Sequence, residues 1–272
     1  DIEADEVELL ASEGWTVQPL TVNVRLSKDW SEWEIVREFV QNALDETNKE
    51  GIEYFNGYSE ISDEGVHGFD LDAFFLGVST KDPSDLIPAQ RACIRGQFGT
   101  GMISAIATLL RASGRCYIKT VGADYTFALT PVSTSKSKLI TVFKKTTKQT
   151  TGTYVGLEGV DARKYLDKIA PFLTDRVIVS VKDSKYECQV RQAFNIPSRI
   201  YVRDLFVQEM TQIPGIKKSV FSYNFWFGDA TEALTDDRSR LASNVNELAR
   251  EFFKLVTKAP ELLKKILKRW MS

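Results

Sequence analysis

Glu38, Asn42 and Asp45 stand four and then three residues apart, so on a helix their side chains fall within about 60° of one another. A carboxylate in that position can orient a water, and a carboxamide oxygen one turn on suits a hard cation such as Mg²⁺. Further along, Asp63-Glu64-Gly65 stands where a strand should end. A carboxylate there can accept a hydrogen bond from an exocyclic amine, and the glycine lets a flat heterocycle approach the backbone. Gly96-Gln97-Phe98-Gly99-Thr100-Gly101-Met102 precedes a helical pattern, so loop N–H groups and a helix N-terminus could face an anion together. It is neither a Walker loop nor a Rossmann fingerprint. Finally, Gly152-Thr153 opens a strand, and the hydroxyl could support the Asp63 carboxylate or a bound water. Taken singly, these patterns also fit a solvated helix face, a Gly-containing turn, a plain loop and an ordinary strand start.

The elements that must hold these residues follow from periodicity. Ser31–Lys49 reads as a helix, with Ser31 and Glu34 as a capping box and Gly51 as a stop. Leu20–Leu26 and Tyr58–Ser62 read as strands, Leu71–Leu76 as a short helix, 79–95 as a polar loop and Met102–Arg111 as a helix. Arg115–Val121, Tyr125–Thr130, Leu139–Phe143 and Thr153–Leu157 alternate as strands separated by short turns, which favours an antiparallel meander. Asp161–Leu173 reads as a helix, Arg176–Val190 as a hairpin, and Arg199–Gln208 and Ser219–Phe227 as strands. Ser243–Val256 and Pro260–Trp270 close the chain as helices, the last being basic and either a surface helix or the stump of a longer protein. The expected class is α+β: a two-layer sandwich with helices on one face of a mixed, mostly antiparallel sheet. Residues 1–160 are expected to form one domain and 161–272 an extension of strands and helices.

With 272 residues, 43% hydrophobic and 26% charged, the chain can build a real core, and collagen, low-complexity and disulfide-scaffold classes are excluded. Lys plus Arg number 35 against 37 acids, a net charge of −2, which gives no global pull toward nucleic acid or acidic membranes. Lys217-Lys218 followed by Phe221, Tyr223, Phe225, Trp226 and Phe227 mixes basic and aromatic residues as a single-strand binder would, although the alternation fits a buried strand better. No stretch is long and apolar enough for a membrane helix, and no leader pattern stands at the front. Cys93, Cys116 and Cys188 offer no disulfide or metal framework, so a reducing, cytoplasmic setting is expected, or a nuclear one in a eukaryote; a viral source fits equally. His67 is the only histidine, which rules out a two-histidine zinc site.

In order and spacing, the four patterns resemble the ATP-binding signature of the GHKL superfamily: gyrase, the ninety-kilodalton heat-shock chaperone, histidine kinases, MutL and the MORC proteins. Glu38, Asn42 and Asp45 match the first box, Asp63 and Gly65 the adenine box, Gly96–Gly101 the glycine lid box and Thr153 the late threonine. Gly-Gln-Phe-Gly-x-Gly and the Gly77-Val78-Ser79-Thr80-Lys81 stretch are more similar to the chaperone and MORC branch than to histidine kinases. The pattern departs at His67, which holds the place of the family's second adenine-box glycine, and the lid segment, 79–95, is short.

The resemblance implies a Bergerat fold that binds ATP with Mg²⁺. It implies that Glu38 polarises the attacking water, Asn42 coordinates Mg²⁺ and Asp63 bonds the adenine amine with support from Thr153. Asp45, Gly65 and Lys81 would join the nucleotide site, and the backbone of Gly96, Gln97, Phe98, Gly99, Thr100, Gly101 and Met102 would wrap the phosphates. The implied activity is slow ATP hydrolysis used as a conformational switch, with lid closure and homodimerisation on ATP binding. In many members of the superfamily a cation from a following domain assists; Lys144-Lys145 and Arg238 with Arg240 are the candidates for it, and each pair reads more readily as salt-bridged surface residues. An ATP-sensing module with little turnover and an ATP-gated nucleic-acid clamp are the competing classes, with the protein partner open.

Overall fold

A computed structural model describes residues 4–46, 50–75, 100–132, 137–173, 177–182, 186–192, 197–212 and 221–227, together with Pro260, Glu261, Lys264 and Lys268. Helix α1 (Ala4–Ser12) leads into β1 (Thr16–Asn23), followed by α2 (Glu32–Glu46), β2 (Glu50–Phe55) and β3 (Tyr58–Asp63). A 3₁₀ turn (Leu71–Phe74), α3 (Gly101–Arg111), β4 (Arg115–Thr120), β5 (Ala123–Pro131), β6 (Lys138–Thr146) and β7 (Thr153–Glu158) come next. The described residues up to Tyr165 form one compact unit and those from Leu166 a second.

In the first unit the seven strands lie in the order β1-β6-β5-β4-β7-β3-β2. Every neighbouring pair is antiparallel. Pro19, which cannot donate to a ladder, sits in the edge strand β1, where the register also shifts before Asn23. One face of the sheet carries Ile61, Ile118, Tyr125, Phe127, Val142 and Val155, all buried. Helices α2 and α3 pack on each other and on this sheet, burying Val36, Phe39, Val40, Ile103 and Ile106. Phe74 closes the layer with ring centroids 4.9 Å from Tyr125 and 5.0 Å from Phe127. This is the expected two-layer α+β arrangement, and its sheet is antiparallel throughout.

The second unit holds β8 (Val177–Lys182), β9 (Tyr186–Gln192), β10 (Arg199–Val202), β11 (Leu205–Glu209) and β12 (Phe221–Phe227) in the order β11-β10-β12-β9-β8. Among the described residues of this unit only β10 and β12 run parallel. Phe221 and Phe225 are buried, so this aromatic strand serves the core.

Several elements depart from the sequence-based expectation. Arg199–Gln208 is two strands, because Arg203 and Asp204 take φ values of 49° and 71° and reverse the chain. That turn is held by Asp204 N–H donating to Asn224 Oδ1 (3.0 Å) and Asn224 Nδ2 to Asp204 Oδ1 (2.7 Å). The expected helix over Asp161–Leu173 is instead two 3₁₀ segments, Ala162–Lys168 and Ala170–Phe172, with Pro171 in the middle of the second. Proline has no N–H to donate to the carbonyl four residues earlier and its ring crowds that carbonyl, so a continuous α-helix cannot run through Pro171. Helix α1 and strand β2 were not expected. The expected helix over Ser243–Val256 lies outside the described residues.

Candidate functional site

Helix α2 starts where its cap places it. Glu34 Oε2 accepts from the Ser31 N–H (2.7 Å) and hydroxyl (2.6 Å), while the Trp33 N–H donates to Ser31 Oγ at 3.3 Å. From that start, Glu38 comes to lie against the first residue of α3. A Cβ at Gly101 would overlap Glu38 Oε2, so the carboxylate and the helix start share one space that only glycine leaves open. Glu38 is 6% exposed, and its Oε1 accepts from Arg37 Nε (3.1 Å) and Nη2 (2.9 Å). Arg37 is itself buried beside the Trp30 ring, 5.4 Å from the centroid, and its Nη1 has no hydrogen-bond partner among the described residues.

Asn42 is half-buried one turn later, and its Nδ2 donates to the Glu38 carbonyl at 3.0 Å. That bond fixes the carboxamide and leaves Oδ1 as its acceptor. Asp45 is half-buried on the same face. At the end of α2, Glu46 meets the turn after β3. A Cβ at Gly65 would stand 3.1 Å from Glu46 Cβ and 2.9 Å from Asp63 Oδ1, and His67 Nδ1 lies 3.1 Å from Glu46 Oε2. Asp63 Oδ1 accepts the Gly65 N–H at 2.8 Å, a local turn that an aspartate side chain makes readily. The Gly65 carbonyl accepts from the Gly152 N–H at 2.7 Å, and Gly152 has a φ of 80° that suits glycine.

The strand register sets Thr153 opposite Asp63. Both are buried, and Thr153 Oγ1 lies 2.9 Å from Thr120 Oγ1. At the other end of the site, Thr100 precedes α3 without a side-chain cap bond, and its carbonyl accepts from the Ser104 N–H at 3.1 Å. The first N–H groups of an eleven-residue helix, which have no intrahelical acceptor, are thus presented at its start beside Glu38. Met102 is half-buried there. Among the described residues no group of three or more His, Cys, Asp or Glu side chains could hold a metal ion.

Comparison with solved structures finds a likeness to the ATPase and transducer domains of DNA topoisomerase II from Balamuthia mandrillaris. The TM-score is 0.43 at 11% identity, covering 89% of this chain and 88% of that one. No protein-family model matches the chain, and no curated protein does.

Glu38 and Gly101 therefore touch, Asp63 and Thr153 are strand partners, and the Asp63–Gly65 turn rests on the last turn of the helix that carries Glu38, Asn42 and Asp45. Lys81, Gly96, Gln97, Phe98 and Gly99 lie outside the described residues. Sequence reasoning missed Arg37, Glu46 and Thr120. Arg37 carried a usable signal: it follows Trp33 by four and precedes Val40 and Leu44 by three and seven, so it sits on an apolar stripe. A cation there requires a buried anion, and the next residue is one. Thr120 carried none, since a threonine closing a strand is unremarkable.

Proposed function

We propose that this chain is a GHKL-type ATPase, binding ATP with Mg²⁺ and hydrolysing it slowly as a conformational switch. The single observation that carries the reading is that helix α2 touches both ends of a nucleotide-sized site. Glu38 meets the start of α3, and Glu46, eight residues or about 12 Å further along the axis, meets the Asp63–Gly65 turn. An acceptor for an amine thus stands at one end, and a helix N-terminus beside a carboxylate at the other. The order of motifs resembling that superfamily supports the same reading.

On this reading Asp63 accepts from the adenine amine, and the N–H groups at the start of α3 bind phosphate. Glu38 Oε2 takes the proton of the attacking water, with Arg37 holding Oε1. Asn42 Oδ1 fits Mg²⁺, because its Nδ2 is already committed and Mg²⁺ is commonly held by one or two protein oxygens together with phosphates. When bound, the ion would draw negative charge from the phosphate oxygens. Residues 1–160 would be the ATP-binding domain and 161–272 a transducer-like extension. Lid closure and homodimerisation would be the switch, in a chaperone- or MORC-like setting. An ATP-holding module with little turnover is the second reading, favoured by the two bonds that Arg37 already makes to the Glu38 carboxylate.

Calorimetric titration with ATP, ADP and a non-hydrolysable analogue, with and without Mg²⁺, tests binding. Turnover by the wild type and by Glu38→Ala tests catalysis. ATP binding retained and hydrolysis lost in Glu38→Ala is the expected result. Hydrolysis at the wild-type rate in that variant removes Glu38 as the base, and tight ATP binding without turnover in the wild type favours the second reading.

A further inference from the structure

Arg111, the last residue of α3, closes on the loop between β1 and α2. Its Nη1 donates to the Val24 carbonyl (2.9 Å) and the Leu26 carbonyl (3.0 Å), and its Nη2 to the Ser27 carbonyl (3.1 Å) and Thr108 Oγ1 (3.2 Å). A guanidinium presents its donors as a rigid fork, so one side chain fixes three backbone carbonyls at once. The Ser27 carbonyl also accepts the Trp30 N–H at 3.0 Å, and Ser27 takes a φ of 50°, uncommon for a serine. The clamp thus sets the path of the loop that delivers Trp30. Trp30 matters because of how Arg37 is held. Both of its hydrogen bonds run to a single oxygen, Glu38 Oε1, and its buried Nη1 has no partner among the described residues. Hydrogen bonding alone leaves the guanidinium able to swing about that oxygen, and the Trp30 ring, 5.4 Å away, is a packing surface that limits the swing. The contacts close a circuit. Gly101 bounds Glu38 Oε2 at the start of α3; Arg111, ten residues or about 15 Å along the helix, reaches Ser27; and Trp30 and Arg37 lead back to Glu38 Oε1.

We propose, on the reading of Glu38 as the base of an ATPase, that Arg111 is a positioning residue for it. By clamping the loop, Arg111 seats Trp30 against Arg37 and so fixes the direction of the Glu38 carboxylate, although it lies at the far end of α3 from that carboxylate. Loss of the clamp leaves α3 itself in place, because Ile103, Ile106 and Leu109 anchor the helix in the core. The helix start that would meet phosphate is then undisturbed, while the base is misdirected. An interaction that counts only in the transition state shows its loss in kcat and not in ground-state binding.

The test combines steady-state turnover and calorimetric titration of the full chain with ATP and Mg²⁺, and amide hydrogen exchange at Trp30 without nucleotide. It compares the wild type, Arg111→Met, Trp30→Leu and the double variant. Arg111→Met keeps an aliphatic stem and removes the donors. It should lower kcat about tenfold or more and leave the ATP Kd within about twofold of wild type. Exchange at the Trp30 N–H should rise about tenfold or more, because its acceptor carbonyl is no longer held. In the Trp30→Leu background, itself slow, Arg111→Met should lower kcat no further. Arg111→Lys keeps the cation but loses the fork, so it should fall between, and it carries the test if methionine prevents folding. A merely structural role would lower the melting temperature and leave kcat per folded molecule unmoved. Wild-type kcat in Arg111→Met or Arg111→Lys, losses that multiply in full in the double variant, or unchanged exchange at Trp30 overturns the assignment of Arg111. Wild-type chain that turns over no ATP overturns the ATPase reading itself, and exchange at Trp30 then still decides whether the clamp exists.

Discussion

The carboxylate of Glu38 occupies the space that a side chain on Gly101 would need. This contact joins the middle of α2 to the start of α3, and it reverses the sign expected for a common substitution. Alanine stabilises most helical positions relative to glycine by up to about 1 kcal/mol. Gly101→Ala should instead destabilise by about 1–3 kcal/mol, because either Glu38 or the start of the helix must move. On the proposed reading, in which Glu38 is the base, it should also slow ATP turnover about tenfold or more, since displacement of a reacting group by an ångström is costly. Thermal denaturation and a turnover assay check both effects. A more stable Gly101→Ala protein with normal turnover would mean that the two residues are not in contact.

Arg37 supplies the second prediction. The Arg37 and Glu38 side chains are 2% and 8% exposed, and two hydrogen bonds join them. Arg37→Met keeps much of the volume but strands a buried carboxylate, a change that typically costs about 3–5 kcal/mol. Combining it with Glu38→Gln removes the stranded charge. Denaturant unfolding should therefore show the double variant to be more stable than Arg37→Met alone. Additive losses in the double-mutant cycle would show that the pair is not coupled.

What could be read from the chain beforehand divides along physical lines. The starts of α2 and α3 and the strands β3 to β7 were legible because caps and periodicity are local, and the Ser31–Glu34 box closes in the structure. The acidic composition of α1 hides it, and β2 is hidden because Gly51, which reads as a helix stop, belongs to the strand. The Arg203–Asp204 turn lacks the glycine or asparagine that usually marks two positive φ values, and it depends on the distant Asn224. The candidate site shows the same division. Spacing set Glu38 and Asn42 on one helix face, but the meetings of Glu38 with Gly101, Glu46 with Gly65 and Thr120 with Thr153 join different elements. No local pattern encodes those.

Asp63→Asn separates base recognition from folding. The carboxamide can still accept the Gly65 N–H that Asp63 Oδ1 accepts at 2.8 Å, so the turn should persist and the melting temperature should change little. Its amide group, however, can present a donor where, on the proposed reading, the adenine amine needs an acceptor. ATP affinity should fall by about tenfold to a hundredfold, the size expected when a site built for one hydrogen-bond pattern meets another. Calorimetry reads this directly. Unchanged affinity in a folded variant would detach Asp63 from the base.

Removal of Mg²⁺ tests the role of Asn42. The bond from Nδ2 to the Glu38 carbonyl, 3.0 Å long, orients the carboxamide so that only Oδ1 remains to meet a cation. If the proposed function is right, wild-type chain in the presence of a chelator should bind ATP about tenfold more weakly or worse and cease to turn it over, because phosphate charge would then be left to the helix terminus alone. Asn42→Ala removes the oxygen while shortening the side chain at a half-buried position, so the fold should survive. This variant should bind ATP with and without Mg²⁺ at nearly the same affinity as chelated wild type. If it instead retains the full Mg²⁺ stimulation, the cation is held elsewhere, and Asn42 serves α2 only through its bond to the Glu38 carbonyl.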